Sequence, residues 1–176
     1  MKSGEIKALV ERRANAMARR PDLARGNGHS RLSMMGGGFR CEVQHEDRRA
    51  VVDQPAALGG GAGPDPEQLM RASLAASLAM GYRLWGARLG VPIDAVTVEL
   101  TCEYDQRGQL GISDQVAVGW LCVRFDVTVT SAASEDDVRR LVATADARSP
   151  MLANLSPAVR RTHGLTVVRP DALRGR

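Results

Sequence analysis

The chain is poor in aromatic residues and cysteine, and these shortages restrict the composition of its core and the class of protein to which it can belong. Aromatic residues are 3% of the 176 residues, so a core must be built from Val, Leu, Ala and Met. The three cysteines, Cys41, Cys102 and Cys122, are odd in number and scattered. This argues against a disulfide framework and favours a reducing, cytoplasmic location. The three histidines lack a second ligand at metal spacing, so we expect neither a metal nor another cofactor.

Long apolar runs and lysine are also scarce. No run is long enough to cross a membrane, and the first residues lack the apolar segment of a signal peptide, so we expect no membrane association. The net charge of +4 comes almost wholly from arginine, because Lys2 and Lys7 are the only lysines. The arginines are dispersed and have no interleaved aromatic residues for stacking, which argues against a nucleic-acid partner.

One stretch, residues 59–90, predicts a central helix with clear ends. Asp65 caps the start, Pro66 occupies the first helical position and Gln68 completes a capping box. Gly90 marks the end. The glycine-rich loop before Asp65 could bind an anion at the helix start. However, the Lys-Ser/Thr pair of a phosphate loop and the strand of a dinucleotide site are both missing, so we do not favour this reading.

The predicted central helix is apolar nearly all round, and Arg71 is the only charge between Glu67 and Arg83. Such a helix has to be buried, either under a sheet or against a second subunit. Six of its residues follow each other at steps of mostly three or four: Leu69, Ala72, Ala76, Ala79, Met80 and Arg83.

Before residue 31 we predict a helix that begins at a Ser3 cap and stops at Pro21. Its apolar stripe is narrow and consists of Ile6, Leu9, Val10 and Met17. Its other face carries Arg12, Arg13, Arg19 and Arg20. We interpret this face as solvated, on a helix that packs against its own or a partner subunit. The alternative is an arm that binds acidic partners.

The rest of the chain predicts strands and one further helix. Short strands over 31–35, 39–45 and 48–53 precede the central helix, and long alternating strands over 95–104 and 121–130 follow it. A helix capped by Ser134, a turn over 149–157 and a strand over 164–170 complete the chain. The order β-β-β-α-β-β-α-β predicts a mainly antiparallel sheet backed by helices, which is the α+β class.

The run LGGGAGPDPEQLMRASLAASLAMGY, the strand order and the segment ADARSPMLANL closely resemble the OsmC/Ohr family of osmotically inducible and organic hydroperoxide resistance proteins. The resemblance covers roughly residues 31–169. The helix before it looks like a branch with an N-terminal extension, so we expect an extension over 1–30 and an OsmC-like domain over 31–176. The resemblance implies an intertwined homodimer with active sites at the interface. There a cysteine attacks an organic hydroperoxide, a second cysteine forms a disulfide with it, and a dithiol reduces the pair.

At the positions that the resemblance assigns to these two cysteines, this chain has Ser77 and Ser149. Glu67 matches the family glutamate that orients an active-site arginine, for which Arg40 is our first candidate and Arg31 the alternative. A serine hydroxyl cannot pass through a sulfenic acid to a disulfide, so we expect little or no thiol peroxidase activity through these positions.

Two functions stay open. One is a hydroperoxide reductase that has lost its nucleophile, and the other is a non-catalytic protein that binds a small apolar or acidic molecule. The alternation of its strand places Cys102 on the inward face, so we expect it to be an inert core thiol. Cys41 follows Arg40, which could favour its thiolate, but we interpret all three cysteines as packing or surface residues.

Overall fold

The computed structural model describes residues 3–34, 36–45 and 48–155, and it confirms the α+β class. The first three strands are β1 (Arg31–Ser33), β2 (Cys41–His45) and β3 (Arg48–Val52). They form an antiparallel sheet in the order β1-β2-β3. A second antiparallel sheet holds the two long strands, so the described strands form two small sheets instead of one continuous sheet. The strand predicted over 164–170 lies outside the described residues.

The central helix α2 (Pro66–Leu89) begins and ends where its sequence predicts. The Asp65 carboxylate accepts the Gln68 backbone N–H at 2.7 Å, and the Gln68 side chain accepts the Asp65 N–H at 3.0 Å. Gly90 closes the helix in the left-handed conformation, with φ of 73°, which glycine adopts without steric cost. The capping box therefore fixes the position at which α2 starts.

The two long strands, β4 (Ala95–Glu103) and β5 (Cys122–Thr130), form a hairpin whose inner face meets α2. Their alternation is as predicted: Val98 and Leu100 face inward on β4 and Val123 and Phe125 do so on β5, while the residues between them are exposed. The core cluster against this face consists of Leu74, Leu78, Tyr82 and Ala145. The hydrophobic effect of this burial holds α2 on the hairpin.

Helix α4 (Glu135–Asp146) contributes Ala145 to the same core, and Ser134 caps its start by accepting the Asp137 N–H at 3.2 Å. Two short helices appear where loops were predicted. They are α3 (Gln106–Gln109), between β4 and β5, and α5 (Pro150–Asn154), in the segment predicted as a turn.

Helix α1 (Ser3–Arg19) packs against α2 of the same chain and ends before a 3-10 turn over Pro21–Ala24. Its half-buried residues are Ile6, Val10, Ala14 and Met17, at steps of three or four, whereas Leu9 is exposed. The predicted arginine-rich face is exposed. Among the described residues, no helix combines the length and the apolar character needed to span a bilayer.

Candidate functional site

Glu67, in the first turn of α2, stands at the centre of a polar cluster. Its Oε1 accepts a hydrogen bond from Trp120 Nε1 at 2.7 Å and lies 3.3 Å from Nη1 of Arg71. The thiol of Cys102 on β4 contacts the same oxygen at 3.7 Å. Glu67 and Arg71 share one helix face because they are four residues apart. Side chains from α2, from β4 and from the segment before β5 therefore hold this carboxylate in one orientation.

Arg71 joins this cluster to the hairpin. Its Nη1 lies 3.6 Å from Sγ of Cys102. This hydrogen bond is the largest cause that raises the pKa of Arg71 above its ordinary value. The charges of Glu67 and Asp65 also raise it, and partial burial opposes them. Arg71 therefore stays cationic at any working pH. The thiol of Cys102 lies between a cation and an anion at nearly equal distances, so it bridges α2 and β4.

A cleft of about 730 Å³ opens beside Glu67. This volume is typical of small-molecule sites. Its charged lining consists of three carboxylates, Asp65, Glu67 and Asp105. Large apolar and aromatic side chains form much of the remaining wall, among them Leu58, Met70, Tyr104, Val118, Trp120 and Leu121. The cleft therefore combines apolar walls with a few fixed polar groups.

Asp105 is paired with Arg107 at the α3 end of the cleft. The Arg107 side chain donates to both carboxylate oxygens, with Nη2 at 2.6 Å from Oδ2, and its backbone N–H donates to Oδ1 at 3.0 Å. These side-chain and backbone hydrogen bonds lower the pKa of Asp105 to about 2. Asp105 is therefore ionised at neutral pH.

The two predicted serines lie apart from Glu67. Ser77 is half-buried on α2, ten residues after Glu67, which places it about 15 Å further along the helix axis. Ser149 is buried and caps α5, where its hydroxyl accepts the Leu152 N–H at 3.3 Å. Within the described part of the chain, no hydrogen bond or ion pair joins either serine to Glu67.

Of the two candidate arginines, Arg31 lies on β1 and Arg40 directly precedes β2 instead of lying within it. Arg40 Nη2 contacts Glu42 at 3.1 Å, and both side chains are exposed. Arg31, on β1, lines the same shallow groove as Arg40 and Cys41. The Cys41 thiol is buried and donates to the Val52 carbonyl at 3.5 Å. Within one chain the structure thus brings together Glu67 and Arg71, and it pairs Arg40 with a different carboxylate.

Three residues of the Glu67 cluster were not predicted as site residues: Arg71, Cys102 and Trp120. Arg71 did carry a signal, because it is the only charge between Glu67 and Arg83 in a mostly apolar helix and follows Glu67 by four positions. Cys102 was expected to point inward, and it is half-buried as expected, but its neighbours are charged. Trp120 follows a polar loop whose pattern gives no indication of where the indole points. Among the described residues, no group of three His, Cys, Asp or Glu side chains is placed to hold a metal ion.

The fold and its central helix define a structural class, an α+β protein in which a long helix packs on an antiparallel hairpin. A sequence model described as OsmC-like protein matches residues 59–163, which is more than half of the chain. The chain belongs to the OsmC family. This confirms the resemblance, whereas the expected boundary between an extension and a domain at residue 31 stays a prediction. A comparison with curated protein sequences gave no match.

Solved structures share the fold at low sequence identity. An OsmC-like protein from Mycoplasma pneumoniae has a TM-score of 0.64 at 13% identity, covering 76% of this chain and 89% of that one. The organic hydroperoxide resistance protein OsmC from Legionella pneumophila has a TM-score of 0.57 at 18% identity, with coverage of 76% and 93%. A Vibrio cholerae protein assigned to organic hydroperoxide resistance, with captopril in one of its active sites, gives 0.51 at 16% identity, with coverage of 76% and 88%.

Proposed function

We propose that this OsmC-family protein is related to organic hydroperoxide reductases but has little or no thiol peroxidase activity through Ser77 and Ser149. The observation that carries the proposal is the serine at both positions. A thiolate attacks a hydroperoxide and becomes a sulfenic acid, which a second thiol converts to a disulfide. A hydroxyl is a weak nucleophile without a base and cannot enter this cycle.

The surroundings of both serines support this proposal. The Ser149 hydroxyl is engaged as a helix cap, a structural role for which serine is preferred. The hydroxyl of Ser77 makes no hydrogen bond to a histidine or carboxylate among the described residues. Among the described residues, neither hydroxyl is therefore hydrogen-bonded to a base that could activate it.

We also propose a homodimer in which the site is completed by a second copy. Glu67 and Ser77 are separated along one continuous helix, and Arg40 pairs with Glu42 on β2 of the same chain. A site that unites Glu67 and Ser77 needs a second chain. The proposed site arginine, which is Arg40 or alternatively Arg31, also needs a second chain to reach Glu67. The free state of the three cysteines fits the cytoplasmic location that we propose.

Consumption of an alkyl hydroperoxide with a dithiol reductant tests the enzymatic proposal. We expect near-background rates for the natural chain and turnover for Ser77→Cys, because the substitution restores the missing sulfur. Ser73→Cys, one turn earlier on the same helix, controls for an added thiol. Rapid turnover by the natural chain contradicts the proposal. If Ser77→Cys is also inactive, the site no longer supports peroxide chemistry and only the binding function below is left.

The second candidate function is non-catalytic binding of a small organic molecule, and the cleft beside Glu67 favours it. The cleft has the volume of a ligand site, apolar walls and a carboxylate held by three partners. The captopril complex of the Vibrio cholerae protein supports the idea that this fold can hold such a molecule. Equilibrium binding of small apolar probes tests this function directly.

A further inference from the structure

We infer that the groove on the three-stranded sheet binds a phosphate group carried by a small polar organic molecule. This inference goes beyond the proposed function and concerns a site separate from Glu67. The first observation is the charge of the groove. Its described lining holds one carboxylate, that of Glu42, and three arginines: Arg31, Arg40 and Arg49. Positive charge is therefore in excess there.

The strand register brings two of these arginines close together. Arg31 on β1 pairs with Gln44 on β2, and Gln44 in turn pairs with Arg49 on β3. Directly opposite residues of antiparallel strands share one face of a sheet. Two strand spacings place the Cα atoms of Arg31 and Arg49 about 10 Å apart. Two long guanidinium side chains therefore flank Gln44 on one face of the sheet.

The second observation is that the described part of the chain does not neutralise these two guanidinium groups. Glu42 is already paired with Arg40, whose Nη2 lies 3.1 Å from Oε1. No ion pair joins Arg31 or Arg49 to an acidic side chain among the described residues, and both arginines are exposed. Guanidinium groups bind phosphate oxygens in a bidentate manner. A phosphomonoester carries about −1.5 to −2 charge at neutral pH, which matches two guanidinium groups better than the single charge of a carboxylate does.

The size and polarity of the groove define the rest of the ligand. Its volume is about 500 Å³, which is typical of small-molecule sites. Inorganic phosphate is far smaller than this volume. Ser33 and Gln44 also line the groove and offer polar side chains. The groove therefore suits a phosphate group on a body that carries hydroxyl groups, as in a sugar phosphate.

The inference is compatible with the proposed homodimer, because it uses a different part of the groove. Arg40 precedes β2 and lies four positions before Gln44, which is about 13 Å along an extended strand. A contact between Arg40 and Glu67 of the partner subunit therefore requires neither Arg31 nor Arg49. The inference assigns Arg31 to the phosphate group and leaves Arg40 as the site arginine.

Three probes with the same sugar ring test the role of the phosphate group: glucose 6-phosphate, glucuronate and glucose. Calorimetry measures binding to the full chain, and the backbone amide signals of β1, β2 and β3 in NMR spectra locate it. We expect glucose 6-phosphate to bind about ten-fold more tightly than glucuronate, the scale of one further charge-assisted hydrogen bond, and glucose to bind most weakly. We also expect the affinity for glucose 6-phosphate to decrease as salt concentration rises. Inorganic phosphate should bind at the same amides but more weakly, because it lacks the sugar.

Two variants, Arg31→Gln and Arg49→Gln, each remove one guanidinium group. We expect each to weaken binding of glucose 6-phosphate about ten-fold. Arg48→Gln is the matched control, because it removes the same charge from the neighbouring position of β3, whose side chain projects to the opposite face. It should reduce the affinity far less. Glu42→Gln removes the carboxylate from the groove and should tighten binding, a gain that partial unfolding does not produce.

The inference is overturned if glucose 6-phosphate does not bind, or if Arg48→Gln weakens binding as much as Arg49→Gln does. Unchanged binding in both Arg31→Gln and Arg49→Gln also overturns it, since the phosphate group then lies elsewhere. Equal affinity for inorganic phosphate overturns the assignment of an organic body. None of these results bears on the peroxidase and dimer proposals, which have their own tests.

Discussion

Tyr82 connects two helices in the core. It is fully buried on α2, and its hydroxyl donates to Oδ1 of Asp146 on α4 at 2.7 Å. We expect Tyr82→Phe to lower the free energy of unfolding by about 1–2 kcal/mol, because the charged acceptor loses its donor. Urea denaturation at neutral pH measures this loss. Tyr104→Phe is the matched control, since Tyr104 is exposed and makes no hydrogen bond within the described residues.

The same residue makes the stability of the protein depend on pH in the alkaline range. Burial, followed by the hydrogen bond and the charge of Asp146, raises the pKa of Tyr82 above its ordinary value. In the unfolded chain a tyrosine titrates near pH ~10. The contribution of Tyr82 to stability is therefore complete below that pH and is lost as pH rises towards the higher folded pKa. We expect stability to fall less steeply above pH ~10 in Tyr82→Phe than in the natural chain. Parallel pH profiles for the two proteins contradict this assignment.

At the scale of one helix, alanine substitutions at two glycines of α2 are expected to change stability in opposite directions. A Cβ at Gly86 would lie 2.8 Å from Cδ1 of Ile93 and 3.0 Å from the Val91 carbonyl oxygen, whereas a Cβ at Gly81 meets nothing within 4 Å. We expect Gly86→Ala to destabilise the protein by about 1–3 kcal/mol through overpacking. Gly81→Ala should stabilise it by about 0.5–1 kcal/mol, because alanine loses less backbone entropy in a helix.

Thermal unfolding separates these two variants, with a shift of about 2–4 °C for each kcal/mol in a chain of this size. If Gly86→Ala is neutral, the turn after α2 packs less closely than the structure shows. If Gly81→Ala is destabilising, another surface contacts α2 at that position.

The secondary structure was predictable where local chemistry decides it. The capping box at Asp65, Gly90 at the helix end and the alternation of β4 and β5 are all readable from neighbouring residues. Helix α5 was predicted as a turn although Ser149 followed by Pro150 is itself a helix-start pattern. That helix has only five residues, too few for an apolar period to show.

At the scale of the whole molecule, the Glu67 cluster shows where prediction from sequence stops. Glu67 and Trp120 are 53 positions apart, and Arg71 and Cys102 are 31 apart. No local period encodes such contacts, because they arise when α2 packs on the hairpin. The likeness to a known family assigned roles to Ser77, Ser149 and Arg40. It contained no information about Cys102 as a partner of Glu67 and Arg71.

The outward face of α2 carries the last prediction. Leu69, Ala72, Ala76 and Met80 follow each other at steps of three or four and are exposed, and Met80 is 72% exposed. Small and apolar residues in this pattern allow close packing of a second helix. We expect Met80→Asp to convert a dimer to a monomer in sedimentation at micromolar concentration, because a carboxylate buried without a partner is costly.

Leu110→Asp provides the matched control, since Leu110 is 66% exposed but lies beyond α2, after the short helix α3. This variant should sediment like the natural chain. If both variants stay dimeric, the α2 face is not the interface. If the natural chain is itself a monomer, Ser77 and Glu67 never meet in one site. The proposed peroxide-type site would then be excluded by the length of the helix between them.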